Sequence, residues 1–84
     1  MSQNLRNIPL NAFRKFLEFK GLKVIRTTGG HEVWSCKSLL RPIVLQNHVD
    51  PVPEFIVRNN LRTLGCDKDE LVEFLNPKKS RKTT

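Results

Sequence analysis

With 84 residues, 38% of them hydrophobic and 27% charged, the chain is sized for one domain with a small, fully used core, which excludes a deep multi-residue active site. No apolar run reaches membrane-spanning length, the N-terminus lacks a basic region followed by an apolar segment, and two cysteines are too few for the disulfide framework of a small secreted fold, so a cytoplasmic protein is expected. The net charge of +7 is unevenly spread: residues 1–48 carry eight basic and two acidic side chains, residues 49–76 three basic and six acidic, and the last eight residues four basic and none acidic.

Pro9 suits a first helical turn, and Leu10, Phe13, Phe16 and Leu17 recur at helical spacing against Asn11, Arg14, Lys15 and Glu18 on the polar side. Gly21 ends that helix. Leu22 to Thr28 reads as a strand with Leu22 and Val24 alternating against Lys23 and Ile25, and Gly29-Gly30 turns it back. Glu32 to Lys37 reads as the second strand, opened by His31, with Val33 and Ser35 on one face and Trp34 and Cys36 on the other. Trp34 is assigned to packing rather than to base stacking. The apolar run Ile43-Val44-Leu45 suits a third strand after Pro42.

Asp50-Pro51-Val52-Pro53 resets the chain, because residues before proline avoid the helical region. A second helix follows from Pro53 to Leu64, with Val57, Leu61 and Leu64 as its stripe and Ile56 alongside, and Gly65 ends it. Phe55 falls off the stripe near Arg58 and Arg62, an aromatic and cationic surface suited to a protein partner. Asp67 with Glu70 resembles a capping box for a short third helix through Leu75, stopped by Asn76-Pro77. Leu5 and Ile8 are positioned to pin the N-terminus. The order predicts an α+β domain over residues 1–76: a three-stranded antiparallel sheet with helices on one face, in the α-β-β-β-α layout of a double-stranded-RNA-binding domain, plus a short extra helix and a disordered basic tail over 77–84.

The chemistry concentrates at Arg26-Thr27-Thr28-Gly29-Gly30-His31. Two glycines that tolerate positive φ let a phosphate approach the backbone, and an imidazole can give or take a proton near neutral pH. A lone histidine at a strand start is also an ordinary structural hydrogen-bonder. Cys36, Cys66, His31 and His48 supply the ligand number for zinc, but their spacing matches no paired-ligand signature, so no metal is expected and the thiols are expected to be free and buried.

In sequence order, Gly21-Leu22, Arg26 and Gly29-Gly30-His31 resemble the glycine, arginine and glycine-small-histidine pattern of the HicA family of toxin ribonucleases. Ile43-Val44-Leu45-Gln46-Asn47-His48 is similar to that family's strand running into a histidine, and Pro53, Val57-Arg58 and Gly65 to its later proline, Leu-Arg and glycine, so the resemblance spans about residues 8–65. Glu32 departs from a common second histidine, Gln46 from proline and Asn60 from an aliphatic residue. The resemblance implies cofactor-free cleavage of messenger RNA with His31 as the catalytic residue, a HicB-like antitoxin that covers it, and no DNA binding by the toxin alone. Arg26, Lys23, Lys37 and Arg41 are candidates to hold phosphates, with Gly29, Gly30 and His48 beside them. The competing readings are a non-catalytic RNA-binding module, favoured by the basic first half, and a protein-binding adaptor, favoured by the acidic second half.

Overall fold

Pro9, with φ of −61°, starts α1 (Leu10–Phe19) in the computed structural model, which describes residues 5–76. One of the helix's unsatisfied backbone donors, the Leu10 N–H, is taken by Asp50 Oδ1 at 2.9 Å, so the Asp-Pro segment caps a helix 40 residues upstream. All four predicted apolar positions, Leu10, Phe13, Phe16 and Leu17, are buried. At its end Gly21 takes φ of +92°, Gly21 N–H donates to Glu18 O and Leu22 N–H to Leu17 O, a Schellman closure that drops Leu22 into the core. Leu22 therefore belongs to the helix stop, and β1 (Lys23–Thr28) begins one residue later than the sequence implies.

The sheet is antiparallel in the order β1-β2-β3, with β2 (His31–Ser35) in the centre and β3 (Ile43–Gln46) on the far side. Val24 pairs with Trp34 and Arg26 with Val33, so Ile25 is an extra residue in a bulge. The bulge breaks the expected alternation, and all six residues of β1 are exposed. In β3 the apolar run does alternate, with Ile43 and Leu45 buried and Val44 and Gln46 exposed.

The helix α2 (Glu54–Leu64) contributes Val57 and Leu61 to the core, and α3 (Lys68–Leu75) contributes Leu71. With Phe13, Phe16 and Leu17 of α1 they cover one sheet face through Trp34, Ile43 and Leu45. Phe74 meets Phe16 edge-on at 5.5 Å and Phe19 at 5.0 Å, which docks α3 on α1. Leu5 and Ile8 are buried, and Ile8 forms an antiparallel bridge with Val52.

Two expectations are corrected here. Asp67 precedes α3 without a side-chain cap bond, and the Glu70 carboxylate, instead of reaching back to the Asp67 N–H, accepts from Lys20 Nζ at 2.7 Å. Arg14, placed on the polar side of α1, turns inward to the sheet. The predicted tail, residues 77–84, lies outside the described residues. No described helix is long and apolar enough to cross a membrane.

Candidate functional site

The two faces of β2 are set by strand alternation. Glu32 and Trp34 point into the helix layer, whereas His31, Val33 and Ser35 share the face that carries no helix, with His31 exposed and Val33 enclosed between its strand neighbours Arg26 and Val44. On the covered face Arg14 donates from Nε to Glu32 Oε1 (3.1 Å) and from Nη2 to Oε2 (2.6 Å), and Trp34 Nε1 donates to Oε1 at 3.2 Å. The fork matches the carboxylate geometry, so both oxygens of the buried Glu32 are engaged. Between residues 19 and 49 it is the single acidic residue, against Lys20, Lys23, Arg26, Lys37 and Arg41. With that acid satisfied inside, the strands' open face carries basic and neutral side chains.

His31 is the first residue of β2, exposed, with Thr28 of β1 and Gln46 of β3 beside it in register. Gly29 (φ +54°) and Gly30 (φ +87°) form the two-residue turn before it, both in the positive-φ region that primed hairpin turns require. Gly30 O accepts the Asn47 N–H at 2.8 Å, tying that turn to the end of β3. The imidazole of His48 comes with it: a Cβ on Gly30 would stand 3.2 Å from His48 Nδ1. Two exposed histidines thus flank one glycine. Gly30 gives room for the second ring, a role the sequence alone did not assign it.

Arg26 lies opposite Val33 and alternates with Thr28, so it shares the open face with His31 about two residues along the strand. The remaining phosphate-binding candidates are elsewhere. Lys23 pairs with Ser35 at the opposite end of the sheet, where Gly21, Lys23, Ile25, Ser35, Cys36 and Lys37 line an open groove, and Arg41 is exposed in the connection leading to β3 at that same end. The structure therefore brings Arg26, Gly29, Gly30 and His48 to His31 and separates Lys23, Lys37 and Arg41 from it.

The cysteines are free but half-buried rather than fully enclosed. The Cys36 thiol at the groove is hydrogen-bonded with Ser38 Oγ at 3.5 Å, which holds it below its ordinary value. Burial pushes the Cys66 thiol up, next to Glu70 and Lys20. Among the described residues no three His, Cys, Asp or Glu side chains gather as a metal site would need.

Phe55 is exposed on α2, with Arg58 and Arg62 following on the same helix face; Arg58 Nη2 donates to Glu54 Oε2 at 3.0 Å. This surface belongs to the helix layer, on the other side of the sheet from His31. Asn60 is buried in the α2 stripe and its Nδ2 has no hydrogen-bond partner. Comparison with family models, curated proteins and solved structures finds no match to this chain.

Proposed function

We propose that this chain is the toxin of a type II toxin-antitoxin system, a cytoplasmic metal-independent endoribonuclease of the HicA kind on a double-stranded-RNA-binding-like scaffold, held in check by a HicB-like antitoxin. The observation that carries the proposal is the exposed His31 beside the Gly29-Gly30 turn, with His48 across Gly30 and Arg26 on the same open face.

RNA supplies its own nucleophile, so little apparatus is required. The 2′-oxygen forms a bond to phosphorus, the bond to the 5′-oxygen breaks, and the products end in a 2′,3′-cyclic phosphate and a 5′-hydroxyl. One proton leaves the 2′-hydroxyl and one is given to the departing oxygen. His31 performs one of these transfers, and His48, which lies across Gly30, is the other imidazole within the corner for the second. Arg26 holds the phosphate and offsets the charge that develops on its oxygens. Phe55, Arg58 and Arg62 offer the antitoxin a hold on the helix layer, from which it reaches around to cover His31.

The test is cleavage of single-stranded RNA by the purified chain in a metal chelator. His31→Ala is expected to lower the rate by about 10²–10⁴-fold, and the wild-type products should carry cyclic phosphate ends. Undiminished cutting by the alanine variant removes His31 from the chemistry. RNA binding without strand scission in the wild type favours the non-catalytic module instead.

A further inference from the structure

The groove at the far end of the sheet is built from residues that the cleavage chemistry does not use. Lys23 is register-paired with Ser35, which offers a hydroxyl, and Lys37, two residues beyond Ser35, lines the same groove. Ile25, pushed out of the ladder by the bulge, is 63% exposed and lines the same groove as an apolar surface. Cations beside an exposed apolar side chain fit a nucleotide, with its phosphate against the ammonium groups and the face of its base in apolar contact with the isoleucine. Charge complementarity favours this occupant, because the only acid on the three strands, Glu32, is bound by Arg14 on the covered face.

The spacing connects groove and corner. His31 and Ser35 are the ends of one strand face, four residues apart, or about 13 Å at about 3.3 Å per residue. A stacked single strand that rises about 3.4 Å per nucleotide covers that distance in about four nucleotides. The face between them carries Arg26 beside Val33, with no side chain of negative charge on the strands to interrupt a phosphate backbone.

Resting on the RNA-cleaving reading above, we infer that the groove of Lys23, Ile25, Ser35 and Lys37 is a distal subsite for single-stranded RNA, engaged by the nucleotide about four positions from the bond cut at His31. Substrates too short to reach it bind at the histidine corner alone.

The experiment compares an RNA octamer with an RNA dinucleotide as substrates for the full chain and for the double variant Lys23→Gln, Lys37→Gln, with Lys15→Gln, Lys68→Gln on the helices as a control for equal charge loss. The groove variant is expected to raise KM for the octamer about tenfold with kcat unchanged and to leave the dinucleotide unaffected. Octamer binding by His31→Ala protein should lose about 0.7 from its logarithmic salt slope for each lysine removed. If wild type cuts RNA and the groove variant treats both substrates as wild type does, the subsite is wrong and the ribonuclease reading stands. Equal losses on both substrates place the lysines at the scissile phosphate and also overturn the subsite. A wild type that cuts neither substrate removes both proposals.

Discussion

Glu32 and His31 are neighbours in the chain that project to opposite faces of the same central strand, and the contrast separates what holds the sheet from what the sheet offers a ligand. Glu32 is buried and takes three hydrogen bonds from Arg14 and Trp34, whereas His31 is exposed between Thr28 and Gln46 with none of the core resting on it. Alternation thus puts a closed ion pair and an open imidazole one residue apart. The covered face satisfies its charges internally, and that leaves the open face of the strands with cations and neutral side chains and no carboxylate.

The largest expected effects pull the two residues apart. His31→Ala removes cleavage while changing stability by less than about 0.5 kcal/mol, as an exposed position away from packing should. Glu32→Ala does the reverse: it strands Arg14 and the indole N–H in a half-buried site and costs about 2 kcal/mol, below the 3–5 kcal/mol of a fully buried pair because Arg14 retains some solvent contact. Chemical denaturation of both variants beside RNA cleavage measures the division. Equal stability losses would mean that His31 is structural and the contrast false.

Gly30→Ala sharpens the same contrast at the corner itself. The new Cβ must adopt φ near +87° and stands 3.2 Å from His48 Nδ1, so a destabilisation of about 1–2 kcal/mol and a moved His48 ring are expected, read from the imidazole resonances by NMR. Gly29→Asn is the control. Its φ of +54° suits asparagine and nothing lies within 4 Å of the added Cβ, so its effect should be small.

A gain is expected in the helix layer. Asn60 occupies a stripe position where its Nδ2 is buried without a partner, so Asn60→Leu replaces an unsatisfied amide by an apolar side chain with better helix propensity. About 1 kcal/mol of added stability is expected, or roughly 4–8 °C in Tm for a domain of this size. A fall in Tm would show that the site does not accommodate leucine's branched end.

Local chemistry was the legible part of this molecule. The α1 stripe, the Gly29-Gly30 turn and the packed Trp34 each follow from residues within a few positions of one another. What escaped depends on distant partners. Arg14 sits at a polar helical position, yet its side chain is long enough to reach Glu32, 18 residues on. In place of the capping box, Glu70 pairs with Lys20 across 50 residues. The bulge at Ile25 is invisible to a period-two pattern, since it is a property of the pairing rather than of β1. The same holds for the site: His31 and its glycines were readable together, but the placing of His48 against Gly30 needs the Asn47-to-Gly30 backbone bond, and the groove needs Lys23 paired with Ser35.

The smallest expected effect compares the Arg14–Glu32 pair, whose carboxylate is buried, with the half-buried Lys20–Glu70 pair that links α1 to α3, whose carboxylate is more open to solvent. The hydrogen bond from Lys20 holds the Glu70 carboxyl below its usual range, and the same bond raises Lys20. A lowered carboxyl contributes stability that is present above its unfolded value, about 4.3, and is lost as pH falls through the folded value. The raised ammonium contributes below its ordinary value and loses that contribution as pH climbs through the folded one. The pair therefore supports the fold between the carboxylate and lysine ranges. Glu70→Gln should destabilise slightly at neutral pH, and its gap from wild type in denaturation midpoint should close as the solution is acidified below the carboxylate range. Added salt should narrow the gap too, because charges that keep part of their surface in water are screened. A gap that persists unchanged in acid would mean that the Phe74 contacts with Phe16 and Phe19, rather than the ion pair, dock α3.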